Sequence, residues 1–379
     1  HGYGGYGFGI MKTTDGGATW TNLGRAEMGN FAVSDIIVDP ENPQIVVATA
    51  GRGRGGLGQV WRSTNGGVSW GAVITATAEW SGLSLGARDM AGLRNLYAVG
   101  HQQGGLVYRS QDRGATWTAL TTPLTNVAGT PQIGLDIAAS QITPGTAYLL
   151  SGTDRLVHRT TDAGGAWTSV SAGFPNDQSQ GDNYNWSQSW YDYHIATSVN
   201  GTSDVVYVGL IDLIASPDGG TTWASVGATY TANALTHNDQ HCVAINPRNP
   251  NEVLVGNDGG VYRMSYTPST GTATFNTTLN ARLGITQFYK ADYHPTDSSR
   301  MIGGTQDNAT PVALGDLSSW RNVCGGDGCG CAINPANPSI QYASSQFQHI
   351  CRTGDQWTTT TDITPDWGND RLPFIGRLT

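Results

Sequence analysis

Four short runs gather the residues able to do chemistry: His237-Asn238-Asp239-Gln240-His241, Gly256-Asn257-Asp258-Gly259-Gly260, Gly303-Gly304-Thr305-Gln306-Asp307-Asn308 and Gly325-Gly326-Asp327-Gly328. Paired carboxylates can cleave a glycoside, and a separation of roughly 5 to 9.5 Å selects retention or inversion. Glutamate is scarce (Glu27, Glu41, Glu79, Glu252), so a catalytic pair would be two aspartates, with Asp307 and Asp327 the candidates. The carboxylates of Asp239, Asp258, Asp307 and Asp327 could instead hold Ca²⁺, which takes about 6 to 8 oxygen ligands. A third possibility is that they only accept hydrogen bonds from loop amides, as buried polar groups must. The residue types alone leave all three open.

His237 and His241 suggest zinc. In an extended run they stand about 13 Å apart at roughly 3.3 Å per residue, so one ion would require a curled loop. With Asp239 they are kept as ligand-binding candidates. The segment from Tyr184 to His194 carries Tyr184, Trp186, Trp190, Tyr191 and Tyr193, whose rings could cover the apolar faces of sugars. The alternative is that some of these rings pack between strands. Gly51-Arg52-Gly53-Arg54-Gly55-Gly56 matches a dinucleotide fingerprint by letter, but no helical pattern follows, so it reads as a glycine-rich loop.

Five cysteines leave at least one unpaired within the chain. Cys324, Cys329 and Cys331 crowd one loop and Cys351 follows one hairpin later, which predicts a Cys331–Cys351 disulfide. No C-x₂-C pair favours a cysteine-only zinc site.

An internal repeat must position these groups. Ser/Thr-x-Asp-x-Gly-x-Thr/Ser-Trp occurs at 13–20, 110–117 and 216–223, at 63–70 with Asn65 for Asp, and at 160–167 with Ala166 for the hydroxyl residue. The closing Trp20, Trp70, Trp117, Trp167 and Trp223 are separated by 50, 47, 50 and 56 residues, a period that fits a four-stranded propeller blade. In such a turn Gly supplies positive φ, Asp accepts loop N–H groups and Trp packs against strands, so these aspartates are structural. Between the boxes lie hairpins of the type Asp35-Ile36-Ile37-Val38-Asp39-Pro40, beginning near residues 35, 86, 134, 195, 242, 289 and 331. The last two repeats lack a good box, although Trp320 and Trp357 hold comparable places. His237–His241 and Asp327 precede first strands, and Asp258 and Asp307 follow second strands. All four acidic runs are therefore expected on one face, opposite the boxes.

Composition bounds the function. The chain has 379 residues with 52 Gly, only 13% charged residues and a net charge of −9. That balance excludes a nucleic-acid binder, which needs a basic face, and a helical bundle. No apolar run approaches the roughly 20 residues that span a bilayer. Sequons start at Asn185, Asn200, Asn276 and Asn308. Opening at His1 and ending on a strand-like run, the chain reads as a segment of a longer secreted or cell-surface protein, with residues 371–379 supplying a strand or leading into a further domain.

The boxes and acidic runs resemble the Asp-box (BNR) β-propeller proteins, among them bacterial sialidases, xyloglucan-active glycoside hydrolases and the sortilin-type receptor domain. The acidic runs look like motifs of large secreted bacterial Asp-box proteins described as glycosyl-hydrolase-like or sortilin-like. The resemblance implies an all-β fold, one β-propeller of seven or eight four-stranded blades over residues 1–379. Arg371-Leu372-Pro373 only loosely echoes the sialidase arginine motif, and Thr14-Asp15-Gly16-Gly17 follows the xyloglucanase opening no further than any box would. The leading expectation is a binding or scaffold module for a polysaccharide or a cell-surface glycan or protein. The alternative is a glycoside hydrolase of xyloglucanase type.

Overall fold

The computed structural model describes residues 7–52, 57–101, 105–124, 134–175, 184–231, 233–368, 370–376 and 378; residues 53–56 of the glycine-rich loop, including Arg54, lie outside them. The chain is all-β. Among the described residues helix is limited to the single turn Arg25–Met28 and three short 3₁₀ segments, and no helix is long and apolar enough to cross a membrane.

The chain divides into two compact units, residues 1–257 with 261–280, and residues 258–260 with 281–379. The first opens with a two-stranded sheet, Ile10–Lys12 with Thr21–Leu23. A seven-stranded sheet follows, in which the 18-residue strand Gly71–Arg88 pairs through its first half with Gly58–Ser63 and through its second with Arg94–His101. Three four-stranded antiparallel meanders complete the unit, starting at Leu135, His194 and Gln240. The second unit holds two more, starting at Phe288 and Cys331.

The packing explains the composition of the strands. In Ala147–Ser151, Tyr148 and Leu150 join a core with Ile195, Val206 and Val208 of the next sheet, whereas Ala147 and Leu149 join a core with Tyr97 and Val99 of the preceding one. Alternate residues point to opposite faces, so a strand between two sheets must be apolar on both. Val205 and Tyr207 face one core and Val206 and Val208 the other in the same way. Fourth strands such as Thr118–Ala119 and Thr168–Ser169 are short and exposed, which leaves little open sheet edge.

The repeated turn joins third to fourth strands. Its geometry is clear at 110–117: Ser110 Oγ accepts the Gly114 N–H (2.9 Å), and Asp112 accepts the Thr116 N–H (2.8 Å) and hydroxyl (2.6 Å). The same bonds form around Asp15 and Asp218, around Asn65 with its Nδ2 donating to the Ser69 hydroxyl instead of accepting from it, and around Asp162 without the hydroxyl bond that Ala166 cannot make. A further copy, missed in the sequence, closes around Asp355 with Thr353 and Thr359. Here Trp357 stands where the pattern has its glycine, at φ 66°, and Gln356 precedes it at φ 56° as Arg113 does at φ 59° in the turn at 110–117. Trp357 therefore holds a glycine's place rather than the closing tryptophan's. Its ring is buried, and its indole N–H donates to Gln341 Oε1 (2.7 Å). Trp320 does keep the tryptophan's place, donating to the carbonyl three residues back as Trp20 does.

The expected cysteine pairing is corrected. The disulfide joins Cys324 to Cys351 with Cα atoms 6.1 Å apart, and Cys331 is free. Cys331 faces Ala343, which on its other side faces Cys351, so a whole strand separates the two cysteines. Two inter-strand steps of about 4.8 Å exceed the span a disulfide can bridge. In the tail, the described residues 370–376 and 378 form no strand.

Candidate functional site

In the second unit, Asp258, Asp307 and Asp327 come together. Gly304 and Gly328 allow this: a Cβ on Gly304 would lie 2.4 Å from the Cys329 carbonyl oxygen, and one on Gly328 would lie 2.0 Å from the Ala309 carbonyl oxygen. The Gly328 N–H donates to the Thr305 carbonyl (2.9 Å), and the Ala309 N–H donates to the Gly326 carbonyl (2.9 Å). Between these bonds Asp307 is pinned in the left-handed region at φ 57°, and its N–H donates to Asp327 Oδ1 (2.6 Å). Gln346 Oε1 accepts the Asp327 N–H (2.8 Å), and Asn308 Nδ2 donates to the Asp258 carbonyl (2.9 Å).

Burial, and then the adjacent Asp258 and Asp327 carboxylates, hold the Asp307 carboxyl far above the usual range, so it keeps its proton at neutral pH. Burial and the same Asp327 and Asp307 charges push the nearby Tyr289 hydroxyl up to about 12. The cluster therefore contains a carboxylic acid able to donate a proton. Among the described residues, the only three metal-ligating side chains whose ligand atoms all approach within 4.8 Å are Cys324, His349 and Cys351.

The histidine run belongs to the first unit. Asp239, at φ 63°, accepts from Gln188 Nε2 (3.1 Å) and Asn238 Nδ2 (2.6 Å), while His237 Nδ1 lies 3.1 Å from the Asn238 carbonyl. His241 is drawn elsewhere, its ring centroid 4.7 Å from that of Tyr191 and its Nδ1 3.7 Å from Asp192. Among the described residues, His237, Asp239 and His241 do not form a group of three metal-ligating side chains whose ligand atoms lie within 4.8 Å of one another.

The aromatic segment splits by role. Tyr184–Trp186 is a 3₁₀ turn, and Trp186 is a core residue, 4% exposed and packed on Phe174 at 5.3 Å. That burial removes Trp186 from any ligand surface. Trp190 is exposed and stacks obliquely on Tyr191 (5.6 Å), which leads to His241. Tyr191, Tyr193 and His241 line a cavity of about 560 Å³ in the first unit.

The same cavity displays groups that the sequence reading passed over, Asp35, Asp136 and His194. Asp136 Oδ2 accepts from His194 Nδ1 (2.9 Å) and from the Ile195 N–H (3.1 Å), and its Oδ1 accepts from the Ile137 N–H (2.8 Å). Asp35 joins the Ile36 and Leu83 N–H groups in the same way, as Asp292 joins Tyr293 and Ile333 in the second unit. Asp136 and Asp292 thereby clasp one sheet to the next, and Asp35 ties two strands of the seven-stranded sheet. Their signal in the sequence is a carboxylate inside a β-branched run, as in Asp35-Ile36-Ile37-Val38. Burial, with Asp136 adding to it, raises Asp35 to about 6. Burial lowers His194, but Asp136, the Val243 carbonyl and Asp35 outweigh it and the net shift is upward.

No family model matches the chain. It is 25% identical over 362 residues to a xyloglucanase from Paenibacillus sp., across 83% of this chain and 30% of that protein. It is 29% identical over 167 residues to a xyloglucanase from Hypocrea jecorina, across 42% of this chain and 16% of that one. The chain thus spans less than a third of the curated relatives it matches. Among solved structures, the GH74 xyloglucanase from Xanthomonas campestris aligns with a TM-score of 0.46 at 15% identity, over 91% of this chain and 54% of that one.

Proposed function

We propose that this chain is a β-propeller segment of an extracellular, xyloglucanase-like glycoside hydrolase in which Asp307 is the general acid. In this reading the successive four-stranded sheets are blades and the repeated turns are Asp-boxes. The observation that carries the proposal is the contact of Asp307 with Asp258 and Asp327, which keeps one carboxyl protonated at neutral pH. A glycosidase acid needs that state to protonate a leaving oxygen. The similarity to xyloglucanases supplies the substrate class, a β-glucan polysaccharide.

Asp307 and Asp327 make a poor acid–base pair between themselves. An inverting enzyme needs about 6.5 to 9.5 Å between its carboxyls to admit water, and a retaining one about 5 to 5.5 Å. Carboxyls in direct contact leave neither gap. Asp327 and Asp258 then act as the charges that hold the Asp307 proton, and the opposing carboxylate comes from outside this trio.

The test is oligosaccharide release from xyloglucan and other β-glucans by the wild-type chain and by Asp307→Asn, with melting curves for both. Release by the wild type that falls at least about a hundredfold in a folded Asp307→Asn variant is expected for the loss of a general acid. Full activity in that variant, or no release by folded wild type at any pH, overturns the reading. Binding without turnover is the second reading, favoured by the exposed Trp190 stacked on Tyr191. Loss of xyloglucan retention in affinity gels by Trp190→Ala would support it.

A further inference from the structure

We propose that Cys324, Cys351 and His349 form a redox-gated site for a borderline-soft divalent cation such as Zn²⁺, closed by the disulfide and opened when a small thiol reduces it. The inference is independent of the hydrolase reading.

His349 Nδ1 lies 3.8 Å from Cys324 Sγ and 3.9 Å from Cys351 Sγ. Zinc–sulfur and zinc–nitrogen bonds of about 2.3 and 2.05 Å at tetrahedral angles give an S···N edge of about 3.6 Å and an S···S edge of about 3.8 Å. Two edges of the ligand triangle are therefore present to within a few tenths of an ångström. The third is the sulfur–sulfur bond itself, and it lengthens to the required edge only when that bond breaks. In the closed state both sulfurs lack the thiolate charge that a metal needs.

The second observation lies on the far side of the ring. His349 Nε2 is 3.2 Å from Asp362 Oδ2, so that nitrogen can carry the N–H and leave the Nδ1 lone pair facing the sulfurs. A carboxylate on the remote nitrogen is the usual support of a metal-bound histidine. Ser345 Oγ lies 3.3 Å from the same His349 Nδ1. His349 is 43% exposed whereas the cysteines are 4% and 5% exposed, so reductant and cation would enter along the imidazole. His349, in extended backbone just before the strand Ile350–Thr353, is two residues from Cys351, which puts ring and sulfur on one face.

The redox step balances. Two equivalents of a small thiol donate two electrons and two protons to the sulfur–sulfur bond, giving two cysteine thiols and one small-molecule disulfide. Metal binding then releases those two protons.

Co²⁺ serves as the probe for the full chain, before and after reduction by a phosphine and desalting under argon. The expected result is no thiolate-to-metal charge-transfer band in the oxidised protein and one equivalent of Co²⁺ with that band in the reduced protein. Asp362→Asn, which leaves all three ligands in place, should weaken binding by roughly ten- to a hundredfold. If reduction unfolds the chain, recovery of its circular dichroism on adding Zn²⁺ supports the site, and failure to recover overturns it. A folded, reduced chain without the band also overturns it. So does a band that survives in a Cys324→Ser, Cys351→Ser double variant, because it would assign the metal to Cys242, Cys329 or Cys331.

Discussion

Replacing Asp307 by Asn separates the charge of the acidic cluster from its shape. Asparagine tolerates the left-handed φ of 57°, keeps the N–H that donates to Asp327, and is neutral at every pH. Burial and the two neighbouring carboxylates raise Asp307 from 3.8 to about 8. About four pH units at about 1.36 kcal/mol each is roughly 5 to 6 kcal/mol, and partial solvent access with sharing of the proton reduces this to about 2 to 3 kcal/mol. The sign follows from linkage. A carboxyl whose folded pKa is raised contributes its full stability below about pH 4 and loses it as the pH rises through about 8. Urea unfolding followed by circular dichroism at pH 4, 6 and 9 should find the two proteins closest at pH 4 and the variant ahead by about 2 to 3 kcal/mol at pH 9, the gap opening as the pH rises above the unfolded carboxyl's 3.8. A difference that stays flat across this range, or that favours wild type more at pH 9, refutes the buried-proton argument.

His194, whose folded pKa is raised, stabilises the protein below its unfolded value near 6.5 and loses that contribution as the pH climbs through its folded value. His194→Gln should therefore lower the melting temperature at pH 5 to 6 and approach wild type in alkali. Asp112→Ala removes the bonds to Ser110, to the Thr116 N–H and to the Thr116 hydroxyl, and should cost about 1 to 2 kcal/mol by denaturant titration. Trp186→Ala empties a core site and should cost about 3 to 5 kcal/mol, a loss that a surface ligand platform would not show. Peptide mapping without reductant should recover Cys324 linked to Cys351 and Cys331 as a thiol; a Cys331–Cys351 peptide would contradict the strand register.

The turn at 110–117 was legible because all its bonds close within eight residues, so residue types and spacing specify it without the rest of the fold. The copy around Asp355 was not, because Trp357 stands where glycine is expected and its ring is held by Gln341 of a neighbouring strand. The gathering of Asp258, Asp307 and Asp327 was anticipated only as far as strand order places them at corresponding strand ends. That Asp307 would sit between two carboxylates depends on how closely the backbones at Gly304 and Gly328 approach.

What the sequence by itself determined was therefore local and periodic: four-stranded meanders, strands apolar on both faces, and a turn that carries its own hydrogen bonds. The tertiary structure alone decided which rings face solvent, which cysteines meet and which carboxyl keeps its proton. Trp186 and Trp190 are four residues apart in one aromatic run, yet one is buried against Phe174 and the other is exposed, because only packing distinguishes them. The disulfide and the Asp307 proton likewise depend on distances between chain segments some 20 to 50 residues apart, set by strand register and sheet stacking that no local residue pattern encodes.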